Sequence, residues 1–417
     1  MIHASGQKPQ SVELDRQALD GLRKRVSGSV LTGGEPGYDE SRTIWNGMID
    51  KRPAVIVRAI DEVDVQRAVV FARDQGLSLS VKSGGHNVAG YAVTDGGVMI
   101  DLSEMRAVRV DPILCRAYVE GGAIWRGVDA ATTQHGLATT GGVISSTGVA
   151  GLTLGGGIGW LVGKHGMSID NLVSATIVTA SGDIITASQE SNPDLFWAIR
   201  GGGGNFGVLT SFELALHPQG DVLAGFVAYP VSEAREVLEF YRQFTRTAPD
   251  ELGAYAQIST DVESGMRLVA IAVFWPGDLA EGERILAPLR SFKTPLMEMI
   301  GPMPYVEWQQ AFDADFPHGR RYYWKGALMR ELNDRVLDAM VEHASETELP
   351  WSMAVIEWYR GQMNQVEPGA TAFANREAQY QVIAVGGWDD PADDETGIAW
   401  ARGFIETWSR TPLAARS

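Results

Sequence analysis

The chain has 417 residues, of which 45% are hydrophobic and 21% charged, so it is long enough for two or three domains of ordinary globular composition. Its 35 basic and 52 acidic side chains give a net charge of −17, which argues against a nucleic-acid partner and against docking on an anionic membrane. Its one cysteine, Cys115, excludes an internal disulfide and a cysteine-based metal centre, and we interpret it as a small structural hydrophobe.

The chain begins with a polar lead-in over residues 1–40, where one helix is predicted at 11–26. Residues 1–25 hold no apolar run typical of a secretory signal, and no apolar stretch approaches the ~20 residues of a transmembrane helix. We therefore expect a cytoplasmic protein.

A β-α-β unit is predicted next, with strands at 53–58 and 77–82 and a helix at 60–75 whose apolar side chains recur at helical spacing. Such a unit implies that its two strands form a parallel pair. A hairpin-like series of three short strands follows. The later elements before residue 218 are a helix at 123–135, a hairpin at 174–187, a short helix at 195–200 and a strand at 208–216.

The composition changes at Pro218. Of the 48 glycines, 25 lie between Gly84 and Gly207, whereas long helices and aromatic strands dominate beyond Pro218. Helices are predicted at 231–245, 279–291, 308–312, 332–345 and 398–408, and strands at 254–259, 268–275, 322–328, 353–359 and 380–385. We expect an α+β fold with a glycine-rich cofactor domain over 41–218 and, over 219–408, an antiparallel sheet covered by helices.

Two glycine-rich loops carry the strongest functional signal. The first, 81–87, ends a predicted strand, and the second spans 141–159, which we interpret as too rich in glycine for a helix. Glycines let backbone N–H groups approach a planar or phosphate-bearing ligand, although packing loops can have the same composition. Residues 202–207 match the dinucleotide pattern, but a helix precedes them and a strand follows, which is the reverse of a Rossmann context.

Residues 45–218 resemble the FAD-binding domain of the vanillyl-alcohol oxidase / p-cresol methylhydroxylase (PCMH) superfamily. The Ser-Gly-Gly-His-Asn sequence at 83–87 and the glycine run at 155–159 resemble the berberine bridge enzyme-like branch. Residues 198–207 and 369–373 also match, so the resemblance covers most of the chain. It implies a PCMH-type domain of two α+β subdomains over 41–218, followed by a substrate-binding domain over 219–408.

The resemblance implies covalent FAD bound through His86. Ile144 stands where many family members have a second linking cysteine, so a single link is expected. His165 is interpreted either as a second histidine near the flavin or as an ordinary loop histidine. The implied cofactor-binding residues are Lys82, Ser83, Gly84, Gly85, His86, Asn87, Gly90, Gly142, Val143, Ser146, Thr147, Gly148, Gly151, Gly157, Gly159 and Val208.

The implied activity is oxidation of a sugar, a secondary alcohol or a polycyclic natural product by hydride transfer to flavin, with O₂ as acceptor. The base is expected from the second domain, where strand alternation groups Glu357 with Tyr359 and Tyr323 with Lys325. An ordinary polar sheet surface would show the same pattern. Two alternatives stay open: a catalytically impaired flavin-binding protein, and a dehydrogenase with another electron acceptor. Oligomeric state is not predicted.

The resemblance also raises an expectation for the C-terminus. In relatives, a segment after the last helix of the second domain supplies a catalytic tyrosine and returns to the FAD domain. Residues 409–417 do not follow that pattern and are interpreted as an atypical, truncated C-terminus. We therefore expect lower stability and weak turnover, with flavin still bound.

Overall fold

The computed structural model describes residues 14–345 and 347–409, except for the side chain of Ser409. Residues 11–13 of the predicted first helix lie outside this part, as do residues 410–417, on which most of the expectation for the C-terminus falls. Among the described residues, no helix combines the length and apolar character needed to cross a bilayer.

The N-terminal region, residues 14–218, contains short strands and helices whose bounds are as follows. The strands are β1 (Ser29–Leu31), β2 (Val55–Arg58), β3 (Leu79–Lys82), β4 (Val98–Asp101), β5 (Val108–Asp111), β6 (Arg116–Glu120), β7 (Leu137–Ala138), β8 (Leu172–Val178), β9 (Ile184–Ser188), β10 (Val208–Ala215) and β11 (His217–Pro218). The helices are α1 (Arg16–Arg25), α2 (Tyr38–Arg42), α3 (Glu62–Asp74), α4 (Trp125–Thr133), α5 (Val149–Leu154), α6 (Val162–His165) and α7 (Pro193–Ile199), with 3₁₀ turns at Ser168–Asp170 and Gly203–Phe206.

The first sheet has the strand order β1-β2-β4-β3, and β4 runs parallel to both of its neighbours. The predicted β-α-β unit is therefore present, but its strands β2 and β3 are not direct partners. The prediction of β4 as part of a hairpin was wrong. All four β4 residues are buried, as expected for a central parallel strand that is covered on both faces.

The second sheet is antiparallel, with the order β5-β6-β10-β8-β9. Its β5–β6 and β8–β9 pairs confirm the predicted hairpins. The second glycine-rich loop departs from expectation, because Val149–Leu154 forms helix α5. The one glycine inside that helix, Gly151, faces open space, so a helix is sterically possible there.

The C-terminal region, residues 219–409, is built on one large antiparallel sheet. Its strands are β12 (Val222–Pro230), β13 (Gly253–Thr260), β14 (Arg267–Trp275), β15 (Met297–Glu298), β16 (Gly301–Met303), β17 (Arg321–Met329), β18 (Met353–Trp358) and β19 (Tyr380–Trp388). Its helices are α8 (Ala234–Thr247), α9 (Leu279–Arg290), α10 (Tyr305–Trp308), α11 (Asp334–Ala344), α12 (Gln362–Gln365) and α13 (Asp394–Ser409), with 3₁₀ turns at Val231–Glu233, Asp313–Asp315 and Pro391–Asp393.

The large sheet has the order β15-β12-β14-β13-β18-β19-β17, with β16 also paired to β12. One face packs against α8, α9, α11 and α13 around a core that includes Ala256, Ile356 and Val382. Residues that alternate with these face the N-terminal region. The mixed α+β fold therefore agrees with the sequence. Strand β12 was missed because most of it is buried on both faces and shows no alternation, and α10 begins three residues before the predicted helix.

Candidate active site

A cavity of about 420 Å³ lies between the N-terminal region and the free face of the large sheet. The N-terminal region contributes His86 and the loop around Val143, and the sheet contributes side chains from β13, β14, β17, β18 and β19. The walls are mostly aromatic and aliphatic. Trp160, for example, stacks on Tyr255 with ring centroids 4.3 Å apart. Apolar walls with a few polar groups are typical of small-molecule sites.

His86 lies at the rim of this cavity, in the loop after β3. The preceding Gly85 has φ +68°, a backbone conformation that favours glycine and turns the chain. The imidazole stacks on Trp45 at 4.9 Å, and its Nε2 lies 2.8 Å from the Ser146 hydroxyl. Burial, assisted by His318, lowers the pKa of His86 to about 4. The ring is therefore neutral at pH 7 and keeps a nucleophilic lone pair.

The loop that carries Ile144 faces the same cavity. Gly142, Val143, Ile144 and Thr147 all line it together with His86, and the Thr147 hydroxyl lies 3.5 Å from His86 Nδ1. Ile144, which stands at the second linking position in the sequence, thus lines the same cavity as His86. An isoleucine side chain has no nucleophile with which to form such a link.

The glycines of the two loops serve protein packing as well as any ligand. A Cβ added at Gly84 would overlap the backbone nitrogen of Gly148, and one at Gly159 would overlap the carbonyl oxygen of Gly141. Gly157 has φ +81°, and a Cβ there would overlap Ser168. Substitution of Gly157 would therefore disturb the protein whether or not a cofactor touches it. Gly151 differs, because no atom within 4 Å opposes a Cβ there.

The remaining predicted cofactor residues make contacts within the protein. Lys82 Nζ donates to the Ser41 carbonyl at 2.5 Å, and the Asn87 carboxamide accepts from the Tyr91 amide at 3.1 Å. Gly90 accepts from Lys51, and Val208 is buried in the core beside the first sheet. None of these four residues lines the cavity, so their contact with FAD stays a prediction.

Ser83 provides a test of whether a cofactor fits. Its hydroxyl lies beside Gly148, is buried, and has no hydrogen-bond partner among the described residues. Buried polar groups are normally paired, so this hydroxyl requires a partner that the protein itself does not supply. A polar group of FAD at the junction of the two loops would supply it, and the residues present therefore fit the cofactor.

The sheet separates the four predicted catalytic residues. Glu357 lines the cavity, and the Tyr359 hydroxyl donates a hydrogen bond to its carboxylate. Tyr323 does not belong to this group: its hydroxyl accepts from Arg402 of α13 at 3.0 Å on the opposite face. Lys325 borders the cavity, but its Nζ lies 5.7 Å from the Tyr323 ring. The prediction of a single four-residue patch was wrong because Tyr323 of β17 packs on the helix-covered face of the sheet, away from Glu357 and Tyr359.

Glu357 lies in an environment that suits a base. Burial raises its pKa from 4.5 to about 7, and the hydrogen bond from Tyr359 opposes this shift. Its direct neighbours across the sheet are Tyr255 on β13 and Gln381 on β19. Gln381 was not predicted, because strand alternation shows which face a residue occupies but not which strand lies beside it.

His165 lies outside the cavity lining. It stacks on His217 with ring centroids 3.9 Å apart, and His217 Nε2 lies 2.6 Å from the Asn171 side-chain oxygen. Burial lowers the pKa of His165 to about 3. Of the two interpretations left open by the sequence, the structure favours a packed histidine away from the cavity, although it lies at the end of helix α6 and not in a loop.

Known proteins share this architecture. Residues 53–188 match the family described as "FAD binding domain". An FAD-linked oxidoreductase of Dictyostelium discoideum is 32% identical over 378 residues, which cover 88% of this chain and 80% of the relative. The crystal structure of 6-hydroxy-D-nicotine oxidase from Arthrobacter nicotinovorans has a TM-score of 0.80 and 31% identity, covering 92% of this chain and 85% of that one.

A more distant structure supports the fold alone. BBE-like 1 of Physcomitrella patens has a TM-score of 0.85 at 20% identity, over 94% of this chain and 88% of that chain. Together, fold, cavity and family match define an FAD-binding α+β oxidoreductase. The chain belongs to the FAD-linked oxidoreductases of the vanillyl-alcohol oxidase / PCMH superfamily.

Proposed function

We propose that this protein oxidises a small alcohol, or a related donor with an activated C–H bond, by hydride transfer to FAD, and that O₂ is its electron acceptor. The observation that carries the proposal is that His86 and Glu357 line one cavity, the first from the N-terminal region and the second from the large sheet. When bound, FAD supplies the hydride acceptor. FAD is proposed to be linked to the protein at His86 alone.

The chain's own residues would handle the proton. Glu357 accepts the hydroxyl proton of the donor as the C–H bond breaks, and a pKa of about 7 suits a base at neutral pH. The Tyr359 hydroxyl holds the carboxylate in place by its hydrogen bond. The aromatic wall around Trp160 excludes water from the reacting carbon.

The cavity wall favours one kind of donor among those that the family resemblance leaves open. Trp160, Tyr255, Phe312 and Trp324 present aromatic surface, and Val355 and Ile383 present aliphatic surface. A sugar carries hydroxyls on every side and would leave many of them without hydrogen-bond partners here. A flat, largely apolar donor with one hydroxyl or amino group near Glu357 fits better, and the nicotine-derived substrate in the name of the 31%-identical oxidase has this character.

Anaerobic mixing tests the proposal. We expect loss of the oxidised flavin absorbance when wild-type protein meets an aromatic or polycyclic alcohol or amine, and at least a hundredfold slower loss in Glu357→Gln. Glu263→Gln, at an exposed loop position, is the matched control. Admission of air should restore the oxidised spectrum. A flavin that stays reduced in air would indicate a dehydrogenase, and a flavin that no donor reduces would indicate a catalytically impaired protein.

A further inference from the structure

One buried hydroxyl group behind the cavity wall lies between two hydrogen-bond acceptors that line the cavity. The Tyr359 hydroxyl contacts the Glu357 carboxylate and also lies 2.6 Å from the side-chain oxygen of Gln381. A phenol has one proton to donate, whereas an ionised carboxylate and an amide oxygen can only accept. The three groups are therefore not all satisfied in this arrangement while Glu357 is ionised.

The strand register forces these groups together. Gln381 is the direct partner of Glu357 in the antiparallel pair of β18 and β19. Tyr359 follows Glu357 by two residues and faces the same side of the sheet. The Tyr359 side chain is fully buried against Met167 and Met363, so bulk water does not reach its hydroxyl group. The Glu357 carboxylate and the Gln381 oxygen therefore compete for the one proton that this hydroxyl can donate.

The single phenolic proton has two arrangements. With Glu357 ionised, Tyr359 donates to the carboxylate, and the Gln381 oxygen gives up the hydrogen bond that it accepts from Tyr359 in the structure. With Glu357 protonated, the carboxyl O–H donates to the Tyr359 oxygen, and Tyr359 donates to the Gln381 oxygen. The arrangements differ by one proton, which is gained by Glu357, while Tyr359 keeps its own. The oxygen of Gln381 faces Tyr359, as in the protonated arrangement.

We propose that Gln381 is a positioning residue that acts through Tyr359: by competing with Glu357 for the single phenolic proton, it favours uptake of the substrate proton by Glu357. The use of that proton in catalysis rests on the proposed function, whereas the competition itself does not. Nothing in the sequence marks Gln381, because its role depends on the pairing of β18 with β19.

The test measures the protonation midpoint of Glu357 with and without the competing amide. Gln381→Met keeps the length of the side chain but removes its oxygen, so the Tyr359 proton stays with the carboxylate. We expect the midpoint of Glu357 to fall by about one pH unit, the equivalent of one hydrogen bond. The midpoint is followed by infrared titration of the carboxyl C=O band that disappears in Glu357→Gln, and independently by the pH profile of flavin reduction.

A double-mutant cycle separates this mechanism from a general structural effect. In a Tyr359→Phe background, Gln381→Met should leave the midpoint unchanged, because the connecting hydroxyl is gone. Gln257→Met is the matched control, and we expect it to leave the midpoint of Glu357 unchanged. Gln257 lines the same cavity from β13, but its amide contacts Ser259. Gln381→Leu replaces Gln381→Met if the latter does not fold.

Two results would overturn the proposal: no shift in the wild-type background, or an equal shift in the Tyr359→Phe background. Failure of the proposed function would look different. If Glu357→Gln reduced flavin as fast as wild type, Glu357 would not be the base, although the infrared midpoints could still show the competition.

Discussion

Burial of the Glu357 carboxyl group links protein stability to pH. Its pKa is 4.5 in the absence of the protein environment and about 7 in the folded protein. Between these pH values the folded state binds more protons than the unfolded state, so the stability contributed by this group is present below pH 4.5 and is lost as pH rises to 7. Above pH 7, the loss in the free energy of unfolding relative to pH below 4.5 is about 3 kcal/mol for this group.

Glu357→Gln should remove this dependence, because an amide of similar shape does not ionise. Relative to wild type, we expect the variant to gain about 3 kcal/mol in the free energy of unfolding between pH 4.5 and pH 8. Urea unfolding at a series of pH values measures it. Asp129→Asn is a parallel case away from the cavity, since burial also raises the pKa of Asp129 to about 7. If the unfolding free energies of wild type and Glu357→Gln differ by the same amount at every pH in this range, ionisation of Glu357 does not affect stability and the interpretation is wrong.

The sequence identified some residues of the site and missed others for a physical reason. His86 was found because its glycine-rich loop has a distinctive local sequence, and Glu357 because strand alternation places it with Tyr359. Tyr323 was assigned wrongly and Gln381 was missed. The first error concerns the face of the sheet that a residue occupies, and the second concerns which strand lies beside β18. Both depend on long-range strand pairing, which short sequence patterns do not encode.

At the scale of elements, the glycine loops combine packing with ligand binding. Gly84 and Gly148 bring two backbones into contact, so these positions are required by the fold. Helix α5 follows directly, and its Gly151 faces open space. If the backbone of 148–159 lies against FAD, as the sequence suggests, Gly151 is the position where a side chain would meet the cofactor without first disturbing the protein.

Gly151→Ala tests this contact. We expect the folded protein to gain about 0.5–1 kcal/mol of stability, as for any open glycine inside a helix, and to bind FAD at least tenfold more weakly before any covalent link forms, measured by reconstitution of apoprotein carrying His86→Ala. Gly127→Ala is the matched control, because Gly127 lies in helix α4 with nothing within 4 Å. That change should add about 0.5–1 kcal/mol of stability and leave FAD binding unaltered. Equal FAD affinity in both variants would show that the backbone of 148–159 does not contact FAD.

The position of β4 shows how much of the strand order could be predicted from the sequence. Strands β2, β3 and β4 and helix α3 were predicted, whereas strand β1 and the insertion of β4 between β2 and β3 were not. A strand that follows another closely in sequence is usually its neighbour in space. Here the full burial of β4 was the available sign of a central strand.

At the scale of the whole molecule, residues 369–376 of the C-terminal region bind to the N-terminal region through hydrogen bonds and an ion pair. The carbonyl oxygen of Gly369 accepts from the Trp197 indole at 2.7 Å, and that of Ala370 accepts from Arg200 at 3.1 Å. Arg376, which is 2% exposed, forms a two-pronged ion pair with Asp170 at 2.7 and 2.8 Å. These contacts hold the sheet over the cavity.

Arg376→Gln should break this attachment. Removal of one partner leaves the Asp170 carboxylate without its counter-charge in a largely buried position, so we expect a loss of about 3–5 kcal/mol in unfolding free energy. Arg330→Gln is the control, because Arg330 pairs with Glu377 in an exposed position and should lose less than about 1 kcal/mol. Denaturant unfolding compares them, and losses of equal size would show that the buried pair has no special role.

The central claim is a single covalent link between FAD and His86, and tryptic mapping of the purified protein tests it most directly. Cleavage after Lys82 and Arg106 gives a peptide that contains His86, whereas cleavage after Arg126 and Lys164 gives a different peptide that contains Ile144. We predict that flavin mass and yellow colour survive acid precipitation and are found only on the first peptide, and that His86→Ala abolishes both. Complete release of flavin by acid, or flavin on any other peptide, would contradict the claim.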